Sequence, residues 1–529
     1  MPAPRELYNP GEMPQPYTWV NRHYLWPLLL TITTFLFYLF TLAPTVLWGD
    51  DAYFQHTAFT AELRPDGGGH WLWLQVARLF VRLPLGDVAF RTNLLSAVAA
   101  TATILLLYAA GREAGLRRDA ATVAALSLAV GHTFWMHAVR AEVYTLLTLF
   151  LAAHFWLWAR WCGPESESMC NGPMYASAAL FGVTLLAHQM ALLLLPAFAM
   201  LLWKHRHHAG GIEMARAAAL ALLGLMPFFI VVYMQIAAVA GVSILEAFWL
   251  YFTHAGTDFG SALFDFSLAG LKQDLFFWGA MTALQFVGPA LVLIPWGLLH
   301  RQHQQSSALW PALLVFYLTD VFFAISFRVS DRYVFFLPGY LALALFAGAG
   351  WLAARSTRAE HRRKRDHWLA ACLILLVAVP IATYYVAPRF VAALDLNPMT
   401  VRTLPGREPN RFFLWPAKHG YTGALRYGEQ ALAVLPVGAV LLADHTPLET
   451  LKYLQIVEGM RQDLTLVKVE PGIDLAPLIA SFPPATPIYL ADDNPEYYNL
   501  RSLPRATLAP VGPVFRLQLA TQTSFRRLE

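Results

Sequence analysis

Long apolar stretches recur along this chain so often that only a bundle of membrane-crossing helices can accommodate them. A helix needs about 20 mostly apolar residues to cross the hydrocarbon core. Stretches that meet or approach this length fall near 25–47, 92–111, 119–136, 143–160, 173–188, 190–203, 215–238, 275–299, 308–326, 333–353 and 367–387, which makes about eleven spans. The residue balance agrees: 57% are hydrophobic and 14% charged, where a soluble domain carries roughly 25% charged residues. The 17 tryptophans suit interfacial aromatic belts. A net charge of +4, confined to short loops, argues against a nucleic-acid binder. The three cysteines, Cys162, Cys170 and Cys372, offer neither a disulfide framework nor metal-ligand spacing. Cys372 lies in an apolar run and reads as a small core residue.

Loop charges set an orientation. One set of loops carries Arg112, Arg117 and Arg118, then Arg160, then Lys204, His205 and Arg206, then Arg301, then Arg355, Arg358, Arg362, Arg363, Lys364 and Arg365. The opposite set carries Asp50, Asp51, Asp66, Asp87, Glu142, Asp258, Asp265 and Asp331. The positive-inside rule then puts the N-terminus in the cytoplasm. His205, His207 and His208 fall among the basic residues and read as topology charge. Residues 1–24 become a Pro-rich cytoplasmic lead-in to an uncleaved anchor helix. Residues 25–387 form the transmembrane domain, and an odd number of spans sends residues 388–529 to the non-cytoplasmic side.

Two soluble parts stand out. The first outer loop, 48–91, holds a turn over 65–69 and then an amphipathic pattern over 70–83, where Gln75, Arg78 and Arg82 recur at helical spacing among Trp71, Leu72, Trp73, Leu74, Val76, Leu79 and Phe80. The tail reads as a small α/β domain. Strands are expected at 439–443, 464–469 and 487–491, with a helix over 447–459 capped by Thr446 and stopped by Gly459. Strand, helix, strand predicts a parallel βαβ unit. The Asp444-His445-Thr446 strand end sits where α/β folds bind ligands, but no Gly-rich phosphate loop follows it.

The chemistry concentrates at two places. Asp50 and Asp51 follow the first span directly, and a charge at a bilayer edge is costly to hold and usually has a task. Their plainer reading is helix capping, with Asp51 ahead of the segment 52–63. The second place is the run His137-Ala138-Val139-Arg140-Ala141-Glu142-Val143-Tyr144, where Arg140 and Tyr144 share a helix face. Arg140 suits a phosphate clamp, and Glu142 suits orienting it or binding sugar hydroxyls. The plainer reading here is an ion pair that pins two helix ends. Arg328, Asp331, Arg332 and Tyr333 form a further cationic cluster, against which stands simple snorkelling to lipid headgroups. Arg91 and Asn93 read as structural. Glu246, His254, Asp258 and Asp265 match no metal spacing.

The stretch from Trp48 to about Trp158 resembles a widespread family of membrane proteins whose animal members include an O-mannosyltransferase acting on plexin-type receptors. The resemblance lies in Gly49-Asp50, in His70 after a glycine turn, in Arg91-Thr92-Asn93-Leu94-Leu95-Ser96-Ala97, and above all in the run from Phe134 to Leu146. The runs Asp331–Pro338 and Tyr453–Leu464 also look like family sequence. The family's His-Pro-Pro-Gly-Tyr-Pro-like turn is replaced here by Gly67-Gly68-Gly69-His70-Trp71-Leu72.

The resemblance implies a GT-C architecture: a polytopic, mainly α bundle with a small C-terminal α/β domain. It implies a membrane glycosyltransferase that moves a sugar from a polyprenyl-phosphate donor to a hydroxyl acceptor on the non-cytoplasmic face. Asp50 then matches the position of the base, with burial raising its pKa toward working pH. Asp51 would raise Asp50 further or help hold a divalent cation, magnesium or manganese, a cofactor the sequence leaves open. The substrate-binding set would be His70, Arg91, His137, Arg140, Glu142, Tyr144, Arg328, Arg332 and Tyr333. Membrane lipid and the sugar carrier are the expected partners, and a bacterial inner membrane the simplest setting. The rival readings are a lipid-linked sugar transporter or flippase, and a non-catalytic membrane scaffold. Charges gathered at span ends rather than mid-span disfavour transport.

Overall fold

The computed structural model describes residues 22–61, 70–163, 171–207, 210–253, 258–263, 268–300, 308–356, 362–396, 402–503 and 506–519. The lead-in before Arg22, the turn at 65–69, and Cys170, His208, His254, Asp265, Arg301 and Arg358 lie outside them. In chain order the first helices are α1 (Arg22–Thr41), α2 (Asp50–Thr60), α3 (Trp71–Val81), α4 (Val88–Glu113), α5 (Arg118–Ala129), α6 (His132–Ala138), α7 (Tyr144–Trp161), α8 (Gly172–Ala187) and α9 (Leu194–Lys204). Then come α10 (Gly211–Val232), α11 (Ala238–Ala240), α12 (Ile244–Thr253), α13 (Asp258–Ala262), α14 (Leu271–Gln285), α15 (Pro289–His300), α16 (Leu309–Ser326), α17 (Leu337–Ser356) and α18 (Arg362–Ala393).

Among the described residues six helices are long and apolar enough to cross a membrane. They lie at Tyr24–Thr41, Val88–Glu113, Gly211–Val232, Leu309–Ser326, Arg332–Arg355 and Ala370–Ala393. The pair α14 and α15 makes a seventh if it counts as one span. Gly172–Ala187 and Gln189–Lys204 are shorter apolar helices.

Two expected spans are broken rather than straight. The stretch 119–136 divides into α5 and α6 at Gly131, and 275–299 bends by 112° between α14 and α15. One group explains why the breaks coexist. The Gln285 side chain, fully buried at the end of α14, accepts from the amides of Thr133 at 2.9 Å and Phe134 at 3.4 Å. These are first-turn N–H groups of α6 that have no partner inside the helix. The Tyr384 hydroxyl of α18 donates to Leu284 O at 2.6 Å and accepts from the His132 amide at 3.1 Å. A Cβ on Gly131 would lie 2.0 Å from Gln285 Nε2, so only glycine fits there.

The tail adds α19 (Pro409–Leu414), α20 (Gly423–Val434), α21 (His445–Ile456) and α22 (Leu475–Ala480), with strands β1 (Val440–Ala443), β2 (Thr465–Lys468), β3 (Ile488–Leu490), β4 (Ala506–Val511) and β5 (Val514–Leu519). The sheet order is β2-β1-β3-β5-β4. β1 pairs in parallel with β2 and β3, so the βαβ expectation holds for β1, α21 and β2. The β4–β5 antiparallel hairpin extends the sheet. Asp444, not Thr446, caps α21, accepting from the Thr446 amide at 3.2 Å.

The domain is not tethered loosely. Its buried core takes in Val46, Trp48, Ala52, Val88 and Ala89 from the bundle. Thr450 donates to Leu47 O at 2.9 Å, the Gly49 amide to Thr446 O at 3.1 Å, and the Ala89 amide to the Tyr453 hydroxyl at 3.1 Å. The domain therefore sits on the end of the bundle that carries the Asp50 turn.

Candidate active site where the bundle meets the C-terminal domain

Gly49 reverses the chain after α1 with φ of +60°, a conformation glycine adopts without strain, and α2 begins at once with Asp50. Successive residues of a helix point about 100° apart, so the two aspartates face different surroundings. Asp51 is buried, while 54% of the Asp50 side-chain surface is open. Gly49 occupies the cap position and no side chain caps the first turn. The capping reading of Asp51 is therefore not what the fold displays.

Asp51 faces inward to Arg140, with Oδ1 3.4 Å from Nε. Arg140 also reaches Glu142, Nη2 to Oε1 at 2.5 Å. Ser96 holds the Glu142 backbone, its hydroxyl lying 3.3 Å from both the amide and the carbonyl. One guanidinium on the short link between α6 and α7 thus serves two buried carboxylates, Asp51 of α2 and Glu142 of the link itself. Burial pushes Asp51 up to about 6 and Glu142 up to about 8, against the pull of Arg140. Asp331 is pushed up to about 6 by burial and by the charge of Asp50.

Asp50 faces the C-terminal domain. Its Oδ1 meets His445 Nε2, from the first residue of α21, at 2.7 Å. Although half open, the carboxyl is walled in by protein, and that enclosure pushes it up. The hydrogen bond from His445 and the His445 charge outweigh this and hold it below its ordinary value. The shift is opposite in sense to the expected one; burial raises Asp51 instead.

The surrounding wall is aromatic and basic. His70, at φ of +41°, stacks on His188 at 4.8 Å between ring centres, and His188 lies 5.4 Å from the Tyr144 ring. His137 packs edge-on to Tyr144 at 5.3 Å and lies 6.2 Å from the Tyr333 ring. Arg140 Nε and both ring nitrogens of His137 are buried without a hydrogen bond among the described residues, as is Arg407 Nε. Burial lowers Arg407 to about 10. Lys418, buried and lowered to about 7, donates to the carbonyls of Phe412, Trp415 and Pro416 at 3.0, 2.7 and 3.2 Å.

The fold thus brings together Asp50, Asp51, His70, His137, Arg140, Glu142, Tyr144 and Tyr333. It places the other expected binding residues differently. Arg91 holds the turn between α3 and α4, donating to Asp87 O at 3.1 Å and also to Val81 O. Arg328 and Arg332 both engage buried Asp274, at 2.6 and 2.7 Å. His445, Lys418 and Arg407 come from the tail; His445 lies at the strand end expected to bind a ligand of the tail, and here it meets Asp50 instead, while Lys418 and Arg407 carry no local spacing that would mark them. Among the described residues no group of three or more His, Cys, Asp or Glu side chains is placed to hold a metal ion.

The strand-end crest of the tail is filled by the chain itself. Arg402 is buried and pairs with Asp444 after β1 and Asp492 after β3, stacked over the Tyr497 ring at 3.8 Å. The connection turns back between β1 and β3, the position where open α/β sheets take ligands. Here a guanidinium occupies it.

Comparison with known proteins agrees with the fold. Residues 65–210 match the family model described as the protein O-mannosyl-transferase TMEM260 N-terminal domain. The crystal structure of ArnT from Cupriavidus metallidurans bound to undecaprenyl phosphate superposes with a TM-score of 0.58 at 14% identity, covering 94% of this chain and 98% of that one. The apo state of the same protein gives the same values. The apo oligosaccharyltransferase of Archaeoglobus fulgidus reaches 0.48 at 12% identity, covering 84% of this chain and 64% of that one. No curated protein matches in sequence. The chain is a multi-pass membrane protein that shares the fold of ArnT and is similar over residues 65–210 to the N-terminal domain of the TMEM260 protein O-mannosyl-transferases.

Proposed function

We propose that this protein transfers a sugar from a polyprenyl-phosphate carrier to a hydroxyl acceptor on the non-cytoplasmic face of a membrane, the bacterial inner membrane being the simplest setting. One observation carries the reading: an ionised, half-open carboxylate, Asp50, stands at a site lined by part-buried cationic groups, Arg140, which is paired with Asp51 and Glu142, and Arg407, whose Nε has no hydrogen bond among the described residues. Transfer to an alcohol needs both. Asp50 accepts the hydroxyl proton as the acceptor oxygen bonds to the sugar's anomeric carbon. The bond from that carbon to the carrier phosphate breaks, and its electron pair leaves on the phosphate. Guanidinium N–H groups suit the charge that develops there. The aromatic wall of His70, His188 and Tyr144 suits stacking on a pyranose face.

The test is transfer from an undecaprenyl-phosphate-linked sugar by the full chain in membranes. Asp50→Asn should abolish most of the activity, a loss of about 10²–10⁴-fold for a general base. Full activity in both Asp50→Asn and Asp51→Asn would remove the proposed base.

A further inference from the structure

We infer that His445 of the C-terminal domain is a positioning residue for Asp50, so that the domain completes the active site. The inference rests on the proposed role of Asp50 as base.

The geometry begins with an occupied oxygen. His445 Nε2 takes Oδ1 of Asp50 at 2.7 Å, and Oδ2 makes no hydrogen bond among the described residues. That division fixes the carboxylate rotamer and leaves one oxygen for the acceptor. The ring is itself held. Its Nδ1 lies 3.7 Å from Glu449 Oε1, one helical turn along α21. Glu449 is buried and anchored from two sides, by His56 of α2 at 2.7 Å and by Lys452 at 3.2 Å.

The line Asp50, His445, Glu449, His56 therefore leaves α2, crosses into the C-terminal domain and returns to α2. Its two ends are six positions apart on one helix, so the histidine cannot shift without moving the domain. The backbone bond from Gly49 to Thr446 and the hydroxyl bond from Thr450 to Leu47 fix the same junction.

The electrostatics follow from the placement. An imidazole between two carboxylates favours its protonated form, and a cation beside Asp50 favours the carboxylate. Around His445 stand Asp50, Tyr53, Glu449 and, from β2, Lys468, which opposes the proton. Around Asp50 stand His445, Arg140 and His70. The two flanking carboxylates favour the proton on His445, so its place is beside the base rather than as the acceptor of the hydroxyl proton. It orients the base and keeps it charged, and the proton on Asp50 leaves to water through the open side.

The experiment compares wild type, His445→Gln and His445→Ala in the full chain, with undecaprenyl-phosphate-linked mannose as donor probe, over a pH series. The reaction needs ionised Asp50, so rate falls as pH drops through its pKa. Removing the cation raises that pKa, so the acid limb should move to higher pH in both variants. At neutral pH kcat should fall about 10-fold with donor KM held, less than the roughly 10²–10⁴-fold effect of losing the base itself. Imidazole in the buffer should restore part of the loss in His445→Ala, since 40% of the ring surface is open. A second readout needs no turnover: the His445 ring proton, followed by NMR, should titrate at lower pH in Asp50→Asn. An unmoved acid limb with a uniform loss at all pH values would overturn the role of His445 while Asp50→Asn still kills transfer. A wild type inactive with polyprenyl-linked sugars would overturn the reading of Asp50 itself, and the NMR titration would then decide the pairing alone.

Discussion

His56 and Glu449 lie 393 residues apart in sequence and meet at 2.7 Å, both buried. The contact joins α2, which carries the aspartates, to α21, which carries His445. Its strength can be measured. The His56 partnership, with charges from Lys452 and His445, outweighs burial and holds Glu449 down to about 2, from an ordinary 4.5. A depressed carboxylate contributes stability above its unfolded pKa and loses it as pH falls through the folded one. The domain junction should therefore weaken as pH drops from about 4.5 toward about 2. His56→Leu removes one partner of a buried carboxylate and should cost about 1–3 kcal/mol, read as a lower melting temperature in detergent.

The two aspartates should separate cleanly under substitution. Asp51 is raised to about 6 chiefly by burial. A carboxyl raised on folding binds its proton more tightly in the native state, so stability falls as pH climbs from its unfolded value near 3.8 to about 6. Asp51→Asn should flatten that slope and leave the melting temperature at pH 8 no lower than wild type. Asp50→Asn should leave melting at pH 8 nearly unchanged while transfer collapses. A variant pair with the opposite pattern would exchange the roles assigned here.

The half of the site on residues 50–51 and 137–144 was legible because it is local. Charges placed directly after apolar runs stand out, and a motif read over eight residues needs no tertiary information. The half from the tail was not. Lys418 is one lysine in unremarkable soluble sequence, and His445 stands at a strand end that reads as a ligand position of the tail itself; only the docking of the tail onto the bundle, Lys418 against Thr41 and His445 against Asp50, joins them to the site. The βαβ unit was legible from its alternation of apolar strand and capped helix. The helix breaks were hidden for a different reason. The run 119–136 is mostly apolar, and what divides it beside Gly131 is the side-chain amide of Gln285, more than 150 residues away. Arg328 and Arg332 looked available for phosphate because Asp274, which engages both, lies more than 50 residues earlier.

Arg402 makes the C-terminal domain sensitive to a single change. Its guanidinium is the cation shared by Asp444 and Asp492, all three buried. Removing it strands two carboxylates in the strand-end crevice, and breaking a buried pair costs about 3–5 kcal/mol. Arg402→Ala should therefore loosen the tail and, because Asp444 also caps α21, disturb His445. Limited proteolysis should show faster cleavage after residue 402, with transfer activity lost in parallel. Tail cleavage unchanged from wild type would mean that the crevice tolerates bare carboxylates.

Gln285 offers the sharpest test of how the broken helices are held. Within the bundle, water is not at hand to satisfy a freed amide, and each unsatisfied group is costly. The Gln285 carbonyl oxygen accepts from Thr133 and Phe134, and a leucine there would keep the volume while losing the acceptor. Two buried N–H groups would then lack a partner, at about 1–3 kcal/mol each. Gln285→Leu should lower the melting temperature well beyond Gln285→Glu, whose protonated carboxyl retains a carbonyl acceptor. Because α6 leads directly into Arg140, loss of its cap should also reduce transfer, whereas the neighbouring exposed Phe276→Leu should not. Equal melting of Gln285→Leu and wild type would show that the α6 amides are satisfied in another way, and that the two breaks are independent.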